Sequence, residues 1–487
     1  MEVKGTLCMA FAVALAAGLA LATAASEPLP KTYHLDSVRG DDAADGLSPE
    51  TAWRTLEKLD AVKLQGGDRV LFARGGVWRG KVRLQSGAPE RRTYYGPYGE
   101  GPKPLFLGSW ARDREEDWTE ARPGLWQTQP TNPAAFLGGD IGLICFDDGR
   151  RTGWKKFDQA ALTNEYDFCY DPATDRVCLR LDENPAKRHQ RIELGRKITV
   201  FSHMHTRHCE VDSLAVRYSG AFAFAGMGAT DYVVRNCSMR WIGGAVQGFS
   251  SAGKPIRYGN AIEFWGSASD VLIEGCDIAE VYDAGISPQA SRDLKTMFRN
   301  IVIRGNLIRN CEFSLEIWHH APEGRFENFL FERNTCLDAG CVWSHAQRPD
   351  RNGTHLNSYR SPCSFTNVVF RENVFSRATD FVLRFDVDWS VEATFDRNLY
   401  YVPENAVFNH YAFRRDGRPG GKTIRYGAGP EAFAAYQRGM DTDRNSVYGK
   451  PILSDPQNGD WRLKPGTPGA TLAADGGPVG MRTPVSR

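Results

Sequence analysis

The chain has 487 residues, with 60 basic against 59 acidic side chains and a formal net charge of +1. That balance leaves no electrostatic footprint for nucleic acid or an anionic membrane surface. The length exceeds one ordinary compact core but suits a single elongated repeat domain with attachments. Only 15 of the basic residues are lysine, so arginine carries the positive charge.

Residues 1–25 begin with Lys4, continue as an alanine-rich apolar run and end in small residues around Ala22-Thr23-Ala24. That order predicts a cleaved secretory signal and a secreted or periplasmic protein. No later stretch approaches the ~20 apolar residues needed to cross a bilayer. Ten cysteines follow Cys8, none in a CxxC pair, so no structural zinc site is expected. Cys169 and Cys178 flank the turn YDPATDRV, a spacing open to a disulfide in an oxidising compartment.

Next in order, Ser48-Pro49 offers an N-cap and a first-turn proline for a short helix. Its apolar stripe would be Ala52, Leu56, Leu59 and Val62. Residues 108–200 read differently. DWTEARPGLWQTQ, IGLICFDDGRR and YDFCYDPATDRVCLRLDENPAKRHQRIEL suggest short antiparallel strands joined by tight turns. HMHTRH (203–208) puts His203 and His205 on one strand face near His208. No carboxylate or cysteine completes a ligand set there, so no metal and no other cofactor is expected.

From residue 211 an internal repeat emerges. VVRNCSM (233–239), LIEGCDI (272–278), VIRGNLI (302–308), LFERNTC (330–336), VFRENVF (369–375) and TFDRNLY (394–400) superpose, with VDSLAV (211–216) as an earlier member. Asn306, Asn334, Asn373 and Asn398 form one column below Cys237 and Cys276, at spacings of 39, 30, 28, 39 and 25 residues. Short β-branched strands, Gly/Asn turns and no intervening helices predict a parallel β-helix, whose turns bury their apolar faces only by stacking.

The opening YHLDSVRGDDAADGLSPETAWRTLEKLDAVKLQGGDRVLFARGGVWRG resembles that of secreted right-handed parallel β-helix proteins of the pectate-lyase-like superfamily. In those, a first strand, a short helix and a GDRVLF-like strand cap the N-terminal end. The insert is similar to those of β-helical glycoside hydrolases of the fucosidase and xylanase type, and DRNSVYGKPILSDPQNGDWRLKPGTPGATLAADGG resembles their closing segment. The resemblance implies an all-β fold, a right-handed parallel β-helix solenoid with an N-terminal capping helix and an inserted antiparallel β subdomain. The expected division is a signal at 1–25, cap and first coils at 26–107, insert at 108–200, coils with a groove at 201–412, and cap and tail at 413–487.

Overlaying the strands that follow each turn sets AIEFWG (261–266) on SLEIWH (314–319), with Glu263 over Glu316 and Trp265 over Trp318. The coil between them supplies AGISPQ (284–289), with Asp283 just before it. In the same overlay CVWSHAQRP brings His345 near the Trp318 column, and DFVLRFDVD brings Arg384 there and Asp386 over His320. By strand alternation these positions face outward. One outer face then carries the catalytic candidates Glu316, Glu263, Asp283, Asp386 and His345, and the substrate-binding candidates Trp265, Trp318, His320, Arg348, Arg384 and Gln289. Insertions at 246–259, 289–299 and 345–365 border it, so the face becomes a groove suited to a sugar chain. Glu263 and Glu316 stand two coils apart, about 9–10 Å by strand spacing, and Asp283 one coil from either, about 5 Å.

The leading expectation is a glycoside hydrolase acting on a polysaccharide or oligosaccharide. The alternatives are a polysaccharide lyase, with base and neutraliser among His345, Arg348, Tyr359 and Arg384, and a non-catalytic carbohydrate-binding β-helix. The lysine-plus-arginine signatures of β-helical lyases are not recognisable, and only Lys254 and Lys295 lie between 198 and 421. No nucleic-acid partner and no membrane span after signal removal are expected, and the protein is expected to be a monomer.

Overall fold

The computed structural model describes residues 29–128, 139–291, 295–358, 363–385, 393–402, 407–413 and 419–484. The predicted signal segment, Tyr359 and Asp386 lie outside them. The chain forms a right-handed parallel β-helix, the hand that parallel crossovers adopt. It opens with β1 (Thr32–Leu35) paired in parallel to β2 (Arg69–Ala73) through the helix Leu56–Asp60. That helix starts later than Ser48-Pro49 predicts. Thr55 is its N-cap and accepts from Lys58 N at 3.2 Å, while Ser48 and Thr51 close a turn. Leu56 and Leu59 still enter the core, with Val62 packed against it.

The middle of the solenoid is built from β3 (Phe222–Arg235), β4 (Ile262–Glu274), β5 (Asp277–Ala290) and β6 (Leu307–His319), followed by β7 (Thr354–Ser358) and β8 (Phe381–Phe385). Backbone conformation sets the rhythm. In one coil Asp270, Gly275 and Glu280 have φ of 57°, 63° and 56°, and in the next Asn300, Gly305 and Asn310 have 53°, 62° and 50°. Asn328, Arg333 and Asp338 repeat the pattern, as do Asn367, Glu372 and Arg377. The left-handed region is cheap only for Gly, Asn and Asp, which explains their recurrence at five-residue intervals.

The predicted asparagine column is a hydrogen-bonded ladder. Asn306 donates its backbone N–H and side-chain Nδ2 to Asn334 Oδ1 at 3.0 and 2.9 Å; Asn334 treats Asn373 likewise at 2.9 and 3.2 Å, and Asn373 treats Asn398 at 3.0 and 3.0 Å. Cys276 N begins the column by donating to Asn306 Oδ1 at 2.9 Å, and Ser446 Oγ ends it by accepting from Asn398 N at 2.8 Å. The ladder satisfies buried backbone groups at a corner where strand pairing lapses. Alongside it run stacked rings such as Phe298, Phe326 and Phe365. Phe433 and Tyr436 of the helix Gly429–Met440 pack on Phe408 beyond the last coils.

Two sheets spanning Ser109–Arg196, antiparallel but for one short parallel pair, interrupt the solenoid. Cys169 and Cys178 are opposed across one hairpin there, both buried and both free thiols. The three histidines of HMHTRH do not converge. His203 sits in the core between Tyr232 and Phe264, whereas His208 bonds Asp231 at 2.9 Å. Among the described residues no helix is long and apolar enough to cross a membrane.

Candidate active site

Strand register fixes two columns on one outer face. The first runs Glu263, Ser287, Glu316, Asn357 and Arg384; the second runs Trp265, Gln289 and Trp318. Ile262, Phe264, Leu315 and Ile317 alternate with them and fill the core. The expected pairing of Glu263 with Glu316 across an intervening coil is therefore observed. Arg384 belongs in the Glu316 column, two residues from its expected position beside Trp318.

His345 departs further. The strand that follows Glu316 is β7, so Asn357 takes the rung and Trp318 is not followed by His345. Residues 341–353 form a loop instead, with His345–Gln347 as one 3-10 turn. Pro349 disfavours continuation of any helix, and Asp350-Arg351-Asn352-Gly353 returns the chain to β7. The loop folds back over the corner ahead of the glutamates. Trp343 Nε1 donates to Glu280 O at 3.3 Å, and Gln347 bonds the insert through Lys155 N and Gly153 O, each at 3.1 Å.

This loop changes the electrostatics. Glu263 and Glu316 point away from the core yet are only 6% and 7% exposed. Arg348, expected to touch substrate, is buried and donates from Nη1 to Asp283 Oδ1 at 3.0 Å and to Tyr282 O at 2.9 Å. Glu316 accepts from Asn357 Nδ2 at 3.0 Å and from Gln289 Nε2 at 3.3 Å. Gln289 thus holds a carboxyl group rather than lining an open cleft. Asn260 Nδ2 donates to Glu263 Oε2 at 2.7 Å, and its Oδ1 accepts from Ala284 N at 2.8 Å. That strut ties Glu263 to the residue after Asp283.

Burial pushes all three carboxyls upward, but unequally. Glu263 is raised to about 8, with the Asn260 bond opposing and the Asp283 charge adding. Glu316 rises well above the usual range by burial, then by the Asp283 charge, against Arg348 and Asn357. Asp283 is also raised by burial, but its ion pair with Arg348 holds it at about 6. The corner therefore holds an Asp283 restrained by its arginine near two glutamic acids that burial pushes upward. Separation of neighbouring carboxyls into acid and anion is what acid–base chemistry on an acetal requires.

The tryptophans hold their expected column but stack on each other. Their ring centroids are 5.9 Å apart at 24°, and Trp318 lies 3.9 Å from His320. All three rings are partly exposed. His319 turns inward and bonds Thr296 at 2.5 Å among Phe298 and Phe326. The sequence overlay missed Asn260, Glu312 and Asn357. THLNS, which carries Asn357, reads as less apolar than the other strands, and Glu312 precedes the stretch compared.

No family model and no curated protein matches the chain. Solved structures that resemble it include a GH136 lacto-N-biosidase from Eubacterium ramulus, at 14% identity over 80% of this chain and 66% of that one, TM-score 0.39. Others are a glycoside hydrolase (8% identity, 77% and 88%, TM-score 0.44) and a rhamnogalacturonan lyase (12%, 76% and 74%, TM-score 0.37). This chain spans just under two thirds of the biosidase's length. Likenesses this distant assign no reaction.

Proposed function

We propose that the protein is a carbohydrate-cleaving enzyme, a glycoside hydrolase in which Glu316 is the general acid and Asp283 its ionised partner. The observation that carries this reading is the contrast between the two carboxyls. Burial and the nearby Asp283 charge push Glu316 well upward against its Asn357 bond, whereas the Arg348 ion pair holds Asp283 down.

In the reaction, Glu316 passes its proton to the glycosidic oxygen as the bond to the anomeric carbon breaks. Asp283 takes a proton from the attacking water or attacks the anomeric carbon itself, and the product anomer distinguishes the two routes. Glu263, protonated and held by Asn260, donates a hydrogen bond to a ring hydroxyl. Trp265, Trp318 and His320 border the sugar through ring edges. Arg384 extends the floor beyond Asn357 and contacts the more distant part of the chain. The substrate of this reading is a polysaccharide or oligosaccharide outside the cell.

The test is turnover in Glu316→Gln and Asp283→Asn, followed as new reducing ends on a panel of plant and bacterial polysaccharides. General acid–base groups contribute about 10²–10⁴-fold, and losses of that size are expected in both variants. Wild-type turnover retained in Glu316→Gln would remove the proposal.

A further inference from the structure

Glu263, Glu316 and Asp283 are all buried, so no sugar ring reaches them while the segment above them stays in place. That segment is the loop 341–352. Its ends touch: a Cβ on Gly340 would stand 2.8 Å from Gly353 Cα, and Gly340 has φ of 78°. A side chain at either end would collide with the other, so the close approach requires glycine on both sides. A compact loop with its ends in contact is an Ω-loop, a unit able to move as one body on a narrow neck. The neck is pinned to the solenoid on both sides. Gly340 N donates to Cys311 O at 2.7 Å, and Asp380 N donates to Gly353 O at 3.1 Å.

The body of the loop is held differently. Its backbone bonds close on itself: His345 N to Val342 O, Gln347 N to Ser344 O and Arg348 N to His345 O. Val342 and Trp343, next to the neck, supply apolar contact. Beyond them the attachments are polar. Gln347 reaches Lys155 N and Gly153 O of the insert, and Arg348 reaches Asp283 and Tyr282 O. His345 Nδ1 lies 3.0 Å from Glu312 Oε2, and Asn352 N donates to Glu312 Oε1 at 3.1 Å. Bonds of this kind exchange for bonds to water when they break, at small net cost.

We propose that loop 341–352 is a lid that swings on the Gly340–Gly353 neck, open to admit the sugar and closed to seat Arg348 beside Asp283. The inference rests on the reading of this corner as a glycan site and adds how the glycan enters it. Opening and closing have opposite chemical consequences. The open loop uncovers the carboxyls but takes from Asp283 the cation that favours its anion. The closed loop restores that pair around the bound sugar and shuts out bulk water. Gln347 ties the loop to chain outside the solenoid; it acts as the latch and is a positioning residue.

Ser344 offers a reporter. It is fully buried on the loop itself, and its hydroxyl has no hydrogen-bond partner among the described residues, so Ser344→Cys removes no bond. With Cys341→Ser also made, to delete the exposed thiol of the loop, iodoacetamide labelling mapped by mass spectrometry reads each opening. The new thiol should label far faster than Cys336, which is fully buried in the solenoid core. Adding Gln347→Ala should speed it by about tenfold and leave Cys336 unchanged. The unaltered chain supplies a second readout. The Asn352 amide, bonded to Glu312, should exchange its hydrogen well before that of Leu356 in β7.

Labelling no faster than at Cys336, with and without Gln347→Ala, would overturn the lid. So would exchange of the Asn352 amide in step with Leu356. Neither measurement uses a substrate, so the hydrolase reading stands or falls separately, on the turnover of Glu316→Gln.

Discussion

Asp283 is poised by opposing neighbours. Burial raises its carboxyl and Arg348 restrains the rise to about 6, so activity should fall as pH drops through that value. It should fall again on the alkaline side as Glu316 loses its proton. Arg348→Gln removes the cation that favours the anion, so the acid limb should move to higher pH, a shift the kcat/KM profile reads directly. Glu263 makes a separate prediction about stability. Its folded-state value is about 8 against 4.5 for an ordinary glutamate, so the folded state holds a proton that the unfolded state releases between those values. The stabilisation is complete below about 4.5 and is lost as pH rises through 8. Glu263→Gln keeps an acceptor for Asn260 without the titration. It should be more stable than wild type at neutral pH, by about 3 kcal/mol at one pH unit per 1.36 kcal/mol. The gap in melting temperature should close in acid.

At the scale of elements, the asparagine ladder and the loop 341–353 divide stability from function. Asn334→Ala deletes the acceptor for Asn306 N and Nδ2, orphaning donors in a dry corner. About 1–3 kcal/mol per stranded group follows, seen as a lower denaturation midpoint with kinetics unchanged at ambient temperature. Gln347→Ala should do the reverse. It cuts the tie between the loop and the insert, leaves the solenoid intact, and should lower kcat through a loosened Arg348–Asp283 pair. The ladder was legible in the sequence because identical residues repeat at one place in each coil. The five-residue rhythm of left-handed residues was not read from the sequence, because Glu280, Arg333, Glu372 and Arg377 share it with Gly, Asn and Asp. The loop was not legible. CVWSHAQ alternates well enough to pass for a strand, and only the docking of Trp343 and Gln347 on distant segments makes it a lid over the carboxyls.

Across the whole molecule, the solenoid acts as a ruler. Parallel strands about 4.8 Å apart fix Glu263 and Glu316 two rungs from each other, and the insert and the loop then bury what the rungs expose. The register of the glutamates followed from the overlay; their upward shift did not, because burial comes from chain segments remote in sequence. Rigid rungs set the spacing of the groups and tertiary covering sets their charge. The most direct test of this account is to incubate the purified protein with neutral and uronate polysaccharides while following reducing ends and the ultraviolet absorbance of unsaturated uronates together. Reducing ends appearing without absorbance, and absent with Glu316→Gln, are the predicted result. Absorbance rising in step with chain cleavage would contradict hydrolysis by Glu316 and Asp283.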